Sequence, residues 1–514
     1  MMTATEIPET HRLSTLLSGM ADVAPHLDRD INGLCLDSRK LVVGDLFLAC
    51  AGTQQHGLVF AEQAIAGGAA AIAWESGSDN AAQLAAELAE ASVPMIAVAE
   101  LSKCLSQIAG RLYADPSHQM TLYGITGTNG KTSICQLLAQ ALGTVECCGI
   151  VGTLGAGLPG QLTTTGMTTP DAITVQKLLA DLLEQGASSV AMEVSSHALD
   201  QYRVEALAFD CAIFTNLSRD HFDYHGSLEN YAEAKRRLFE MAGVSAAVIN
   251  LDDPFGRELA ETLSDKLAVF GYAVESETVV PDGLQGWVVA KQVEPSQRGL
   301  SISIETDEGA GLLVSALLGR FNAANLLAVL SVLHHKNWPL SKAIDVLSRL
   351  STVPGRMELF GGAGKPSVVV DYAHTPDALE KALQALRLHC PGRLFVVFGC
   401  GGDRDHGKRP MMAEVAERLA DLCYLTDDNP RSESSEQILE QILAGMTKPD
   451  LAKVIPDRGS AIRTSVLSAS ADDLVLVAGK GHEDYQLIGD QVLHFDDREA
   501  VVAALDSWPG GINE

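Results

Sequence analysis

Thr121-Leu122-Tyr123-Gly124-Ile125-Thr126-Gly127-Thr128-Asn129-Gly130-Lys131-Thr132-Ser133 decides the fold of this 514-residue chain. The apolar start at Thr121 reads as a strand, and Ile134 to Leu142 reads as a helix. A strand, a glycine turn and a helix build a phosphate cradle. Glycines let the backbone aim its N–H groups at oxygens, and the helix N-terminus adds a favourable dipole. In such a cradle Gly127, Thr128, Asn129, Gly130, Lys131, Thr132 and Ser133 surround the phosphates of a ligand. Lys131 meets the terminal phosphates, and the Thr132 hydroxyl is placed for a magnesium ion. The spacing departs from the common P-loop, because Ile125 stands where that pattern has its first glycine.

Working outward, the length calls for two to four domains. Hydrophobic residues make up 46% and charged residues 20%, the balance of a soluble globular protein. A formal net charge of −29 argues against nucleic acid or an anionic membrane as partner, though not against a small anionic substrate. Ten cysteines without C-x-x-C spacing read as reduced thiols. The N-terminal residues lack the basic and apolar regions of a signal peptide, and no apolar run reaches membrane-span length, so a cytoplasmic protein without membrane insertion is expected.

Residues 1–117 read as a small α/β unit, with helices at Ala61 to Gly68 and Ala81 to Ala91 and strands at Ala69 to Trp74 and Pro94 to Val98. Asp37-Ser38-Arg39 is either a surface turn or a holder of a polar ligand, and Asp115-Pro116-Ser117 reads as a linker. Residues 118–353 alternate strands and helices, which predicts a parallel, helix-covered sheet. Strand-like runs end in polar clusters: Glu193 to His197, Thr215-Asn216, and Asn250 to Asp253. Ligands gather at such C-terminal strand ends. Glu193 sits where a magnesium-holding carboxylate belongs, because magnesium takes few protein carboxylates besides phosphate and water. The Asp220 to His225 cluster suits a place near phosphate or magnesium better than a zinc site. On spacing alone Lys235 is an ordinary solvated helix lysine. Residues 270–318 carry short strands between turns, a small antiparallel insert. Asn322 reads as a helix cap.

Residues 354–514 form a second alternating, doubly wound unit. Four strands deliver polar loops: Asp371 to Asp377, Gly399 to Asp405, Thr426 to Arg431, and Ala478 to Glu483. The dinucleotide fingerprint is absent at Gly399 to Gly402. Four such loops at one sheet edge make a ligand-binding edge.

Together, Gly127 to Thr132, Glu193 to His197, Asn216 to His225, Asp371 to Pro376 and Gly479 to Glu483 resemble the Mur ligases across essentially the whole chain. The resemblance implies an α/β protein of three domains: 1–117 binding a UDP-sugar, 118–353 binding ATP on a P-loop-like parallel sheet, and a Rossmann-like 354–514 binding an amino acid. It implies ATP-dependent amide formation through an acyl phosphate in peptidoglycan precursor synthesis, acting as a monomer. Asp428-Asn429-Pro430-Arg431 resembles the family's recognition motif for meso-diaminopimelate, so a UDP-N-acetylmuramoyl dipeptide, meso-diaminopimelate and ATP are the implied partners, with Mg2+ as cofactor.

By position, the resemblance places Lys131, Glu193 and His221 at the chemistry, with Thr132, Glu193 and His221 near metal. It makes Lys235 the lysine that carries a carbamate and holds a second magnesium, reversing the reading from spacing. Leu36, Ser38, Thr53, Gln54, Gln55, Thr168, Thr169, Ser195, Gln201 and Arg203 match the UDP-substrate positions. Met167 stands where the family often has Asn. Asn322, Arg356, Asp371 and His374 match positions that approach ATP. Arg404, Asp428, Asn429, Pro430, Arg431, Gly479 and Glu483 match the diaminopimelate site. There the two arginines suit the substrate's second carboxylate, and the acids suit its ammonium. Domain closure is implied, with hinges near Asp115 to Ser117 and Val353 to Arg356. The competing readings are a lysine-adding ligase of the same family, a folylpolyglutamate synthase-like ligase, an ATP-regulated binding module, and a P-loop kinase.

Overall fold

Uninterrupted aliphatic runs build the sheets. Ser189–Glu193, Ser367–Asp371, Leu394–Phe398 and Leu474–Ala478 are buried along their whole length, as parallel strands covered on both faces must be. The computed structural model describes residues 11–509 apart from 53, 54, 78, 89–91, 219, 276, 354 and 363. The chain divides into two compact units, one running to Val269 with Pro281–Gln285, the other comprising Phe270–Val280 and Gly286 onward.

In the first unit, a four-stranded parallel sheet runs Gly33–Cys35, Asp45–Ala49, Ala71–Ser76, Met95–Ala99. Alternation divides its side chains. Leu46 and Leu48 pack with Leu13, Leu16 and Ile108, while Phe47 and Ala49 pack with Leu58, Ala61 and Ala64. The same unit holds a parallel run in the order Ala246–Asn250, Cys211–Phe214, Thr121–Thr126, Ser189–Glu193, Cys148–Gly152, closed by antiparallel Gly155–Gly157. Register aligns Glu193 with Ile125 and Phe214 with Thr126, so the polar strand ends share one edge. The expected linker at Asp115 to Ser117 is instead a packed turn. Pro116 and Ser117 are buried, and the Ser117 hydroxyl accepts the Ala208 N–H at 3.1 Å.

In the second unit, Phe270–Ala273 pairs parallel with Gly286–Val289, and Gly286–Ser296, Gly299–Thr306 and Gly309–Ser315 follow as an antiparallel meander. The insert is present, with strands longer than the sequence indicated. The C-terminal sheet has the order Glu358–Gly361, Ser367–Asp371, Leu474–Ala478, Leu394–Phe398, Leu422–Leu425, Ala452–Val454, antiparallel only at its first edge. Its two faces carry separate cores, Val369, Val396, Phe398 and Leu476 against Val368, Phe395, Val397 and Val475. Each buried Val or Phe contributes about 1.5–3 kcal/mol. Thr375 caps the following helix through the Ala378 N–H, with Pro376 at its first turn.

Asn322 is not a cap. Gly319 caps the helix Arg320–His335, and Asn322 lies in its first turn with Nδ2 donating to Leu318 O at 2.8 Å. A backbone turn at φ +85 is what Gly319 supplies there, so no side-chain cap is required.

One charged pair is fully inside. Arg458 and Asp497 both have no exposed side-chain surface and meet at 2.7 Å. Arg458 also donates to Ala478 O at 3.0 Å and Asp427 O at 3.2 Å, so it ties two strand-end loops together. Asp497→Ala leaves that guanidinium unpaired and is expected to destabilise the C-terminal domain by about 3–5 kcal/mol in denaturant unfolding. A loss below about 1 kcal/mol would mean that the buried charge has another partner.

Candidate active site

The phosphate-type loop is shaped by contacts only glycine permits. Gly127 has φ +145, and a Cβ there would stand 1.8 Å from Thr215 Oγ1. The next strand end braces the loop: Asn216 Oδ1 accepts the Asn129 N–H at 3.0 Å, and Thr215 Oγ1 donates to Asn129 O at 2.7 Å. Thr128 Oγ1 accepts the Ser218 N–H at 3.0 Å and lies 3.3 Å from the Tyr231 hydroxyl. The helix begins at Lys131, earlier than Ile134, because Gly130 at φ +91 caps it. Lys131, Thr132 and Ser133 therefore occupy the first turn, where backbone N–H groups lack intrahelical partners.

Lys131 Nζ donates to Gly127 O and Thr128 O, both at 2.9 Å. Lys235 Nζ donates to the same Gly127 O at 2.9 Å and lies 4.1 Å from the centre of the Tyr231 ring. Lys235 is 1% exposed, which overturns the solvated-lysine reading from spacing. It shares the inner face of Leu228–Glu240 with Tyr231, Ala234, Leu238 and Phe239. Burial, and then the Lys131 charge, push its pKa well below the ordinary lysine value. Burial also lowers Lys131.

Glu193 is 2% exposed. Its carboxylate accepts from Thr132 Oγ1 at 2.9 Å, the Thr153 N–H at 2.8 Å and Thr153 Oγ1 at 3.1 Å. Burial raises its pKa against the opposing effects of the Thr153 N–H and Lys131. Glu193 is neither a helix cap nor salt-bridged at the surface. Thr153 was missed in the sequence, although it too is a polar residue at a strand end, after Cys148–Gly152.

Five other expected positions gather here. Thr168 Oγ1 is 3.0 Å from Thr153 Oγ1, Thr169 Oγ1 donates to Glu193 O at 2.8 Å, and Ser195 N donates to Thr169 Oγ1 at 3.1 Å. Arg203 donates to Thr169 O at 2.8 Å and to Gln201 Oε1 at 3.1 Å, while Gln201 Nε2 donates to the Tyr224 hydroxyl at 3.0 Å. His221, held at φ +52 beside Asp220, packs edge-on to His197 with centroids 4.8 Å apart. His225 Nε2 is 3.0 Å from Ser196 Oγ.

In the first domain, Ser38 Oγ donates to Gln63 Oε1 at 2.8 Å, and Arg39 pairs with Asp37 at 2.8 Å within their own turn. Leu36 is half-buried and Gln55 exposed; Thr53 and Gln54 lie outside the described residues.

The second unit carries the other expected positions. Asp371 accepts the Met357 N–H at 2.8 Å and the Ala373 N–H at 2.9 Å; burial raises its pKa. Arg356 lies 4.9 Å from the Tyr372 ring centre, with Nε buried and without a hydrogen-bond partner among the described residues. His374 Nδ1 is 2.8 Å from Tyr372 O. Asn429 Nδ2 donates to Glu483 Oε2 at 3.1 Å. Arg431, at φ +53, donates to Gly402 O at 2.8 Å. A Cβ on Gly402 would meet Pro430 O at 1.8 Å, so the two loops touch backbone to backbone. Gly479, at φ +120, faces Asp428. Arg404 is exposed and has no hydrogen-bond or ion-pair partner among the described residues.

Lys480 was also missed. It is fully buried, 3.3 Å from Glu483 Oε2 and Asn429 Oδ1 and 3.8 Å from Asp428 Oδ1. Only the apolar run before it hinted that its loop would be internal.

One parallel sheet thus carries the glycine loop with Lys131, Thr132 and Glu193, and another carries a cluster of side chains of both charge signs around Lys480, the two features that an ATP-using ligase combines. Residues 30–113 match "Mur ligase family, catalytic domain", 125–333 "Mur ligase middle domain" and 355–481 "Mur ligase, glutamate ligase domain". The chain belongs to the Mur ligase family, ATP-dependent ligases of peptidoglycan precursor synthesis. It is 50% identical, over 94% of its length and 97% of the relative's, to the Pseudomonas aeruginosa UDP-N-acetylmuramoyl-L-alanyl-D-glutamate–2,6-diaminopimelate ligase. The protein of that name from Alkalilimnicola ehrlichii is 48% identical over 97% of this chain and 99% of its own. A solved structure of an enzyme so named superposes with a TM-score of 0.72 at 33% identity, covering 97% of this chain and 99% of that one.

Gly152→Ala tests the Glu193 geometry, because a Cβ there would stand 2.2 Å from Glu193 Oε1. Displacing a reacting-site group by about 1 Å costs about a hundredfold in rate. The variant is expected to lose ATP turnover on that scale while retaining its circular dichroism spectrum. Unchanged turnover would show that the carboxylate position is not critical.

Proposed function

We propose that the chain joins meso-diaminopimelate to UDP-N-acetylmuramoyl-L-alanyl-D-glutamate, driven by ATP. The single observation that carries this reading is its half-identity, over nearly the whole length, to ligases named for that reaction. The first, middle and last domains (1–117, 118–353, 354–514) hold the UDP-sugar, ATP and the amino acid. The reaction belongs in the cytoplasm, where ATP and UDP-linked precursors are available. Among the described residues no helix is long and apolar enough to cross a membrane. A monomer suffices, since one chain supplies every assigned residue.

A carboxylate is a poor electrophile. Its oxygen therefore attacks the γ-phosphorus of ATP, the bond to the bridging oxygen breaks, and ADP leaves. The amine of diaminopimelate then attacks the acyl carbon, phosphate departs with the electron pair, and the ammonium formed loses a proton. Catalysis is mostly positioning and charge neutralisation. The Gly127 to Ser133 loop and helix N-terminus receive the phosphates, and Lys131 leaves its loop carbonyls for phosphate oxygens. Thr168, Thr169, Ser195, Gln201 and Arg203 hold the muramoyl peptide, with Leu36, Ser38, Thr53, Gln54 and Gln55 at the UDP end. Asn322, Arg356, Asp371 and His374 approach the nucleotide. Hard oxygen donors on Thr132 and Glu193, the latter buried without a cationic partner in hydrogen-bond reach, fit magnesium. When bound, Mg2+ neutralises phosphate charge; Thr132, Glu193, His221 and carbamylated Lys235 would hold it.

Arg404 and Arg431 bind the second carboxylate of diaminopimelate, and Asp428 and Glu483 its ammonium, with Asn429, Pro430 and Gly479 shaping the pocket. Lysine leaves an arginine without its carboxylate, which is the source of selectivity. Phosphate release from ATP with the UDP-muramoyl dipeptide is expected with meso-diaminopimelate and not with L-lysine, giving a tripeptide product. Release with lysine alone would move the reading to a lysine-adding ligase, and release with neither would end it.

Carbamylation needs a neutral Lys235 amine, which the lowered pKa supplies. As pH falls through that lowered value the amine takes up a proton and the carbamate is lost. Activity is expected to fall in CO2-depleted buffer, more steeply at lower pH, and to return with bicarbonate. Labelled bicarbonate should give a carbamate carbon resonance that Lys235→Arg abolishes; a resonance persisting in that variant would reassign the modification.

A further inference from the structure

Against the loops that carry Arg404 and Arg431 lies an ion pair to which neither the motifs nor the proposed function give a role. Arg409, in the helix Lys408–Leu419, has no exposed side-chain surface. It donates to Glu433 Oε2 at 2.9 Å and Oε1 at 3.0 Å, to Gly401 O at 3.0 Å and to Gln441 Oε1 at 2.8 Å. Glu433 Oε1 also accepts the Asp403 N–H at 2.5 Å. The Asp403 carboxylate in turn accepts Ser432 Oγ at 2.7 Å and the Ser432 N–H at 3.2 Å. One side of this network is therefore the Gly401 to Arg404 loop and the other the Arg431 to Glu433 segment. Gly402 N donates to Asn429 O at 2.9 Å and Arg431 Nη1 to Gly402 O at 2.8 Å, closing the ring.

The consequence shows at Gly401. A Cβ there would stand 2.8 Å from Arg431 Nη1 and 3.6 Å from Arg404 Cγ, so the two arginines converge over this glycine. Their spacing depends on how the two segments are held. Among the described residues neither arginine has a carboxylate partner within salt-bridge reach, whereas Arg409 has one of its own. A bidentate pair fixes orientation as well as distance, which a lysine or a neutral pair does not.

We propose that Arg409 and Glu433 are positioning residues that set the spacing of Arg404 and Arg431, and thereby the enzyme's selectivity for an amino acid carrying a second carboxylate. This rests on the diaminopimelate reading of the pocket. Arg409 and Glu433 do not touch the substrate. They act through the Gly401 to Arg404 loop.

The test compares KM for meso-diaminopimelate and for ATP, by phosphate release, in the full-length enzyme and in Glu433→Gln, Ser432→Ala, Arg404→Ala and the Glu433→Gln/Arg404→Ala double variant. Glutamine keeps one acceptor oxygen but not the charge-assisted fork. Ser432→Ala, at the exposed edge of the network, covers the case in which Glu433→Gln fails to fold. A misplacement of about 1 Å predicts a rise in diaminopimelate KM of about tenfold or more, with ATP KM within about twofold. Arg404→Ala should then add little on the Glu433→Gln background, because the fork is already lost. Parallel changes in both KM values, or fully multiplicative effects of the two substitutions, would overturn the positioning role. Absence of turnover of diaminopimelate by the unmodified enzyme would overturn the reading of function itself. A normal unmodified enzyme with unaffected Glu433→Gln and Ser432→Ala variants overturns only the positioning.

Discussion

Two amines share one carbonyl oxygen. Lys131 and Lys235 both donate to Gly127 O at 2.9 Å, and this contact constrains the nucleotide side of the molecule. Two ammonium groups on one oxygen repel, and burial leaves that repulsion poorly screened. Burial, and then the Lys131 charge, lower the Lys235 pKa, the direction that eases this repulsion. Gly127 holds its carbonyl toward both amines with φ +145, and no residue with a Cβ fits against Thr215 there. The loop, the neighbouring strand end and the lysine helix are thus determined together.

The same contact accounts for the readiness of the site. Lys131 is held by neutral carbonyls of its own loop, partners weaker than a phosphate oxygen. It can leave these carbonyls without breaking an ion pair. Glu193 lies close enough to influence Lys131 but spends its hydrogen bonds on Thr132 and Thr153. Acid and amine each bond to neutral partners and not to each other.

The sheets were legible because parallel strands buried on both faces are written as continuous aliphatic runs, and their polar ends follow directly. Glu193, Asp371 and the four C-terminal loops were found that way. Lys235 was not, because a helix lysine near Tyr231, Ala234 and Leu238 reads as solvated until a distant carbonyl is known to meet it. Asn322 was misread as a cap because a glycine with positive φ does the capping without a side-chain signal. Arg409, Arg458 and Lys480 were passed over for a related reason. In sequence a long cation looks like surface, and only its partners, tens of residues away, show otherwise.

Those three buried cations share a plan. Each meets a carboxylate, and each also bonds a loop oxygen: Gly401 O for Arg409, Ala478 O and Asp427 O for Arg458, Asn429 Oδ1 for Lys480. Stability alone would not favour them, since apolar side chains of similar volume often serve as well as a buried ion pair. An apolar side chain, however, cannot hold a carbonyl in one direction. The C-terminal domain therefore gains fixed geometry at the loops that carry Arg404, Asp428, Arg431 and Glu483. Lys480 adds a charge argument. It stands 3.3 Å from Glu483 Oε2 and 3.8 Å from Asp428 Oδ1, so both carboxylates face the same buried amine. The side chain that joins these two carboxylates also holds Asn429, so the loops proposed to bind the ligand share one buried anchor.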